Sequence, residues 1–462
     1  MELEIVILAA GKGTRMGSKL PKVLHTIGGK PLLAHVIETA NSLKPKKIII
    51  IYGHGGEQVQ QTIESSISKD ISTKIQWIEQ IQQQGTGHAV QMAAPFLNDQ
   101  SNALVLYGDV PLTQSSTLKS LISNVNNESP LSLLTMILSN ATGYGRILRD
   151  IDGKILGIVE QKDANPEQLE IREANTGILC AQAKQLKVWL DKLNNDNAQG
   201  EYYLTDIVGM AAEDGVNIKS EQPETIYEVE GVNDKKQLAE LERCYQYEQA
   251  NTLLLSGVTL MDPARIDIRG DLQIESDVSI DINVIFEGSV KIKSGSTIGP
   301  NCVIKNSSIG ANTRIEANTL IEGSLIEDEC SIGPFARVRP GTHVFKGGKL
   351  GNFVETKKAE IGEGSKVSHL SYIGDAKLGK DVNVGAGTIT CNYDGVNKYL
   401  TEIEDEVFIG SNTSLIAPVK IGKKATTGAG SAINKDVDNE ELAIARGKQR
   451  NISGWKRPEK KS

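Results

Sequence analysis

The sequence predicts an α/β chain built from two architectures: an N-terminal doubly wound, mainly parallel sheet and a C-terminal parallel β-helix of hexapeptide repeats. Two periodicities carry this expectation. Up to about Val232, bare aliphatic runs such as Ile5-Val6-Ile7-Leu8, Ile48 to Ile51 and Ala103 to Leu106 alternate with helix-like segments. Strands covered on both faces need no polar alternation, so such runs read as βαβ units, whose ligands gather at the carboxyl ends of the strands. After Ser256, aliphatic residues recur at every sixth position: Ile309, Ile315 and Ile321, then Ile326 through Val338 and Val344 to Leu350. The spacing returns at Ile361, Val367 and Ile373, at Leu378 and Val384, and from Ile403 through Ile409 and Leu415 to Ile421. In a β-helix each of these side chains stacks on its counterpart one coil away. A β-sandwich would show alternation of period two and irregular hairpin turns, which this region lacks.

With 462 residues the chain exceeds what one hydrophobic core serves, and the expected parts are residues 1–233, a linker helix over 234–255, and 256–462 with a C-terminal tail. The helix is expected because Asp234 to Leu255 holds no Gly or Pro and spaces its leucines helically. A net charge of -8, with acidic and basic residues mixed throughout, gives no nucleic-acid footprint, so anionic small molecules must be bound by local groups. Five widely spaced cysteines without a C-x-x-C pair suggest packed, reduced thiols. No uncharged stretch approaches the ~20 apolar residues of a membrane span, so a cytoplasmic location is expected.

The first strand runs into Leu8-Ala9-Ala10-Gly11-Lys12-Gly13-Thr14-Arg15-Met16, followed by Leu20-Pro21-Lys22. Glycine lets backbone N–H groups approach a polyphosphate, and Arg15 and Lys22 set charge against it. Neither the Walker spacing nor the dinucleotide-binding spacing is present. Further on, Tyr107-Gly108-Asp109 places a carboxylate where an apolar strand ends, suited to a divalent ion that bridges phosphates. An ordinary strand-ending turn explains Asp109 equally well unless a second oxygen joins it. Asn233, expected to end another strand, is the candidate.

These motifs, with the C-terminal ones below, resemble the bifunctional N-acetylglucosamine-1-phosphate uridyltransferase and glucosamine-1-phosphate N-acetyltransferase family of bacteria over the whole chain. The resemblance implies a Rossmann-like nucleotidyltransferase half and a left-handed β-helix; spacing alone does not give that hand. It implies that Leu8, Ala9, Ala10, Gly11, Arg15, Lys22, Gln80, Gly85, Thr86, Tyr107, Gly108 and Asp109 contact UTP or the product UDP-N-acetylglucosamine. Gly145, Glu160 and Asn175 resemble the contacts to the sugar, and Asp109 and Asn233 the ligands of Mg²⁺. The stretch between Gly145 and Glu160 is one residue longer than the family pattern, placed in the Arg149 to Gly153 turn. The implied reaction is in-line attack by a phosphate oxygen of N-acetylglucosamine-1-phosphate on the α-phosphorus of UTP, expelling pyrophosphate.

In the β-helix, Arg339 and Lys357 fall on successive coils and could cradle one sugar phosphate, while Asn383 to Thr388 offers backbone N–H groups at a coil corner. An insertion over Cys391 to Glu402 interrupts the repeat and is a site candidate. By resemblance His369 is the general base, Arg339, Lys357, Tyr372, Asn383 and Lys398 bind glucosamine-1-phosphate, and Ala386, Asn392, Tyr393, Ser411, Ala429 and Arg446 contact acetyl-CoA. His25, His35, His54, His88 and His343 read as ordinary structural residues. The family also implies a homotrimer whose acetyl sites draw on neighbouring subunits, and a role in supplying UDP-N-acetylglucosamine for cell-wall peptidoglycan and lipid A. Two other readings compete: a pyrophosphorylase whose β-helix serves only assembly or regulation, and a non-enzymatic scaffold. The His369-Leu-Ser-Tyr372 segment argues against the first, and Gly11 to Arg15 with Asp109 against the second.

Overall fold

In the computed structural model, which describes every residue except Lys12, His54, Glu459, Lys461 and Ser462, the first aliphatic run is an interior strand of the N-terminal sheet. Glu2–Ala9 lies parallel to both Lys47–Tyr52 and Ser101–Tyr107, with Ile5 level with Ile48 and Leu104. The sheet runs in the order Lys219–Glu221, Leu131–Ile137, Glu173–Gln182, Ser101–Tyr107, Glu2–Ala9, Lys47–Tyr52, Ile75–Glu79. Glu173–Gln182 is antiparallel to both neighbours, and the other junctions along this path are parallel. Strand side chains alternate between faces, so Ile5 and Ile7 enter one helix-covered core and Val6 and Leu8 the other. An antiparallel pair, Arg146–Arg149 and Ile155–Val159, hangs from Glu173–Gln182, and its register slips between Leu148 and Arg149 beside the turn expected to be long.

The C-terminal unit is a left-handed β-helix. Every aliphatic position picked out by its spacing is buried, and the side chains stack as expected: Ile298 on Ile315, Ile332, Leu350, Val367, Val384 and Ile409. The step from Val384 to Ile409 is longer than the others, and the surplus forms the loop through Asn392 and Leu400. Between the short strands the chain turns through the left-handed backbone region, coil after coil. One corner uses Asn283, Asn301, Asn318, Phe335, Phe353 and Leu370, all with φ between 48° and 59°. Asparagine tolerates that conformation well; phenylalanine and leucine do not.

Contacts divide the chain into Met1–Tyr245 and Gln246–Ser462. The division falls inside the helix Lys235–Leu255, within the 234–255 segment expected to be a linker helix. Leu241 packs in a core with Met16, Ile27, Leu32, Leu112 and Val232 of the first unit. Ala250 and Leu253 belong to the core of the β-helix, where the buried Gln246 donates to the carbonyl of Ile268 and accepts from its N–H, at 2.9 and 2.8 Å. All five cysteines are free thiols, and burial pushes that of Cys180 up to about 12.

Candidate active sites

A cleft of about 420 Å³ opens at the carboxyl ends of the first parallel strands. Leu8, Ala9, Ala10, Gly11, Lys22, Gln80, Gly85, Thr86, Tyr107 and Asp109 line it, all expected from sequence, together with Ala89 from the same segment as Gly85 and Thr86, and with Val23, Gln83 and Glu201, which were not expected. Gly13, in left-handed conformation, sets Lys22 against the loop, because a Cβ there would lie 2.7 Å from that of Lys22. Gln83 ties the wall together by donating to the carbonyl of Ala10 at 2.6 Å. Gly108 lies behind the cleft, its N–H bonded to the carbonyl of Leu8 at 2.9 Å.

A second cleft shares Tyr107 and Asp109 with the first and is also lined by Arg15, Tyr144, Thr176, Asn233 and Gln237. At the junction Lys22 bonds both Asp109 and the side-chain oxygen of Asn233, and Arg15 donates to the same Asn233 oxygen at 2.8 Å. Asn233 does not end a strand. Residues 229–233 are irregular, following a short 3-10 turn whose Glu228 caps its own start, and Asn233 reaches Asp109 because the Val232 N–H bonds the Asp109 carbonyl at 2.9 Å. One ammonium thus sits between a carboxylate and an amide oxygen. That fits a hard divalent ion holding few protein ligands and completing its shell with water and phosphate oxygens. Among the described residues no group of three or more His, Cys, Asp or Glu gathers to hold a metal.

Gly145, Glu160 and Asn175 line neither cleft, but they sit together: the Asn175 N–H bonds the Gly145 carbonyl at 2.9 Å, and a Cβ on Gly145 would come within 3.4 Å of the Glu160 carboxylate. Tyr107 joins them to the clefts, its ring packed against Gly177 and its phenol pushed up by burial and by the Glu160 charge. Burial also raises the Glu160 carboxyl, partly offset by the Thr205 hydroxyl, which donates to it at 3.0 Å. Beside it Asp206 is pushed up to about 6 by burial and then by Glu160 and Asp163. Asp206 carries no motif, and only its place next to Glu160 marks it.

In the β-helix the expected residues fall on two edges. Arg337, Glu355 and Tyr372 pair in successive coils, which places Arg339 next to Lys357 and Lys357 level with Gly374. The Tyr372 hydroxyl lies over Gly374, where a Cβ would meet it at 2.3 Å. Lys398, from the inserted loop, joins this edge; its ammonium and then Arg339 push the Lys357 amine down. Arg339 is partly answered by Glu355 at 2.8 Å. Three cations on one edge with one carboxylate form a seat for a dianion.

The other edge is a ladder. Asn352 pairs with His369, whose carbonyl accepts from the Gly387 N–H at 3.3 Å; Lys366, Asn383, Phe408 and Thr426 align in the strands before it. Three residues beyond each of the last four stand His369, Ala386, Ser411 and Ala429. Coils approach so closely here that a Cβ on Gly385 or Gly410 would lie 2.5 Å from the next coil's Ser411 or Ala429 nitrogen. Arg446 caps the ladder, donating to the Ala429 carbonyl at 2.7 Å. His369 and Asn383 are exposed, as is Tyr393 in a loop closed by its antiparallel bridge to Lys398. Asn392 is held by Asp375 at 2.5 Å.

Comparison with known proteins agrees with both architectures. Residues 5–137 match the MobA-like NTP transferase domain, residues 271–306 the bacterial transferase hexapeptide, and residues 401–435 the hexapeptide repeat of succinyl-transferase. The chain is 57% identical over 460 residues to the bifunctional protein GlmU of Cellvibrio japonicus, covering 100% of both. It is 57% identical over 461 residues to that of Idiomarina loihiensis, covering 100% of this chain and 99% of the relative. The chain belongs to the bifunctional GlmU family. A third GlmU, from Alcanivorax borkumensis, is 56% identical over 460 residues. As a member it is an enzyme with two activities, uridylyl transfer and acetyl transfer, the latter using acetyl-CoA. Among the described residues no helix is long and apolar enough to cross a membrane.

Proposed function

We propose that residues 1–233 and 256–462 each hold one activity, joined by the helix over 234–255, and that the chain makes UDP-N-acetylglucosamine in two steps in the cytoplasm. In the first unit the cleft around Gln80, Gly85 and Thr86 takes the UTP base, and the backbone from Leu8 to Gly11 with Arg15 and Lys22 takes its phosphates. N-acetylglucosamine-1-phosphate lies toward Gly145, Glu160 and Asn175, so that its phosphate oxygen meets the α-phosphorus in line and pyrophosphate leaves. The chain's part is positioning and neutralisation, the usual protein contribution to phosphoryl-type transfer. Asp109 and Asn233 would hold Mg²⁺, which supplies charge neutralisation between the phosphates.

On the β-helix, Arg339, Lys357 and Lys398 take the phosphate of glucosamine-1-phosphate, with Tyr372 and Asn383 on the sugar. His369 removes a proton from the amine as its nitrogen attacks the thioester carbonyl; the C–S bond breaks and the coenzyme leaves as thiol. Ala386, Ser411 and Ala429 offer backbone to the coenzyme, Asn392 and Tyr393 flank it, and Arg446 suits one of its phosphates. Phe335, Phe353 and Leu370 stand exposed in a stripe at one corner, and large apolar side chains there support coverage by a neighbouring subunit of a homotrimer.

The observation that supports this reading is the shared ladder of His369, Ala386, Ser411 and Ala429, which sets an exposed imidazole beside a run of close-packed backbone. The test is to assay the purified chain for both half-reactions: pyrophosphate release from UTP in the presence of N-acetylglucosamine-1-phosphate, with and without Mg²⁺, and thiol release from acetyl-CoA with glucosamine-1-phosphate. Absence of thiol release would leave the β-helix as an assembly module.

A further inference from the structure

We infer that His88 is a positioning residue for base selectivity: it holds Gln80 so that the amide oxygen, and not the amide nitrogen, is offered to the nucleotide cleft. This rests on the reading of that cleft as the UTP site and assigns a task to a histidine expected to be structural packing. Gln80 is 4% exposed and lines the cleft. A glutamine amide has two N–H donors at one end and an acceptor at the other, so turning it over reverses what a ligand meets. Here the nitrogen donates to the carbonyl of Gly85 at 3.2 Å and to Nδ1 of His88 at 3.0 Å. Both donors are spent on the protein, and the oxygen is left for the ligand. The Gly85 bond is the longer of the two. His88 supplies the shorter anchor, which requires a lone pair on Nδ1 and therefore the ring proton on Nε2.

His88 is itself held in place. It sits in the first turn of the helix Thr86–Ala93, its ring centre 6.4 Å from that of Tyr202. The Tyr202 backbone clamps the loop from both sides, accepting from the Gly87 N–H and donating to the Gln84 carbonyl, each at 2.8 Å. An acceptor facing the cleft selects a pyrimidine whose N3 carries hydrogen. Uracil meets that condition; cytosine would set the bare lone pair of N3 against the Gln80 oxygen. Sites that read an N–H by a buried hydrogen bond reject analogues lacking it, because the buried group then goes unpaired. Without His88 the amide is held by Gly85 alone and can turn over, presenting its NH₂ end to cytosine.

The experiment measures kcat/KM for UTP and for CTP, with N-acetylglucosamine-1-phosphate, on the full-length chain. His88→Leu removes the acceptor at similar volume, and His88→Asn keeps an acceptor near the place of Nδ1. The expected result is that the UTP-to-CTP ratio falls by about tenfold or more in His88→Leu and stays within about threefold of wild type in His88→Asn. Measurable activity in His88→Leu with equal losses on both nucleotides, which a merely structural role would give, overturns the inference. If His88→Leu abolishes use of both nucleotides while acetyl transfer persists, His88→Asn decides alone: a near-native ratio supports the inference and a tenfold fall overturns it. A wild-type chain unable to use UTP would instead remove the reading of the cleft on which the inference stands.

Discussion

At Asp206 burial works against charge, and the result is a measurable pH dependence. Its folded carboxyl titrates at about 6, raised by burial and by Glu160 and Asp163, against about 4 in an unfolded chain. Between those values the folded state holds a proton that the unfolded state has lost, so stability from this group is present below about pH 4 and is lost as pH rises through about 6. Asp206→Asn should therefore stabilise the N-terminal unit above pH 6 by about 1 kcal/mol, discounted because the group is half-exposed, and flatten the pH 4 to 6 limb of a urea-unfolding series. A variant that is no more stable at pH 7 and keeps that limb would show another group titrating there. His369→Ala makes a different prediction: acetyl transfer should fall roughly 100- to 10,000-fold at saturating substrates while uridylyl transfer survives. Wild-type thiol release in that protein would leave the base elsewhere. His369 could be picked from sequence because its neighbours carry a motif. Asp206, Gln83 and Glu355 could not, because each owes its place to partners brought together only by folding: Glu160, the Ala10 carbonyl and Arg339.

Among the elements, the coils of the β-helix were legible because stacking makes each inward position repeat its chemistry. Ile298, Ile315 and Ile332 have no alternative to being aliphatic. The irregular segment before Asn233 was misread as a strand because its buried Val229 and Val232 mimic an apolar run; only the bond from Val232 to Asp109 reveals what places it. The corner at Phe335, Phe353 and Leu370 was not anticipated, since nothing in spacing indicates a left-handed φ. Holding a non-glycine side chain there costs ~1–2 kcal/mol, and asparagine lessens that cost. Phe353→Asn should therefore leave the isolated β-helix at least as stable, yet shift sedimentation toward smaller species and lower acetyl transfer. An unchanged sedimentation coefficient would mean the stripe is not an intersubunit surface. On the next edge, Gly374→Ala should displace the Tyr372 hydroxyl from above it and raise KM for glucosamine-1-phosphate more than it changes kcat. The reverse split would place Tyr372 outside the sugar site.

At the scale of the whole chain, the helix Lys235–Leu255 has to be divided with its contacts rather than at its ends. A fragment of residues 1–245 should release pyrophosphate from UTP when N-acetylglucosamine-1-phosphate is supplied as acceptor. A β-helix fragment beginning at residue 246 should be more stable than one beginning at 256 by ~4 kcal/mol: about 2 for burying Leu253 and about 1 for each bond of Gln246 to Ile268. Equal urea midpoints would show that the helix adds nothing to that unit.

The bonds of Gln246 have a further effect. Among the described residues Ile266–Ile274 pairs with a single strand, Val284–Ile292, so its other side is the terminal rung of the stack. The side chain of Gln246 presents one donor and one acceptor to that rung, as a further coil's peptide groups would. An uncovered rung is a template for another chain's strand, and β-solenoids left open at an end polymerise end to end. The same glutamine therefore acts as a chain terminator: Gln246→Ala, or a start at residue 256, should make the protein grow filaments on standing, visible by light scattering long before any loss of secondary structure.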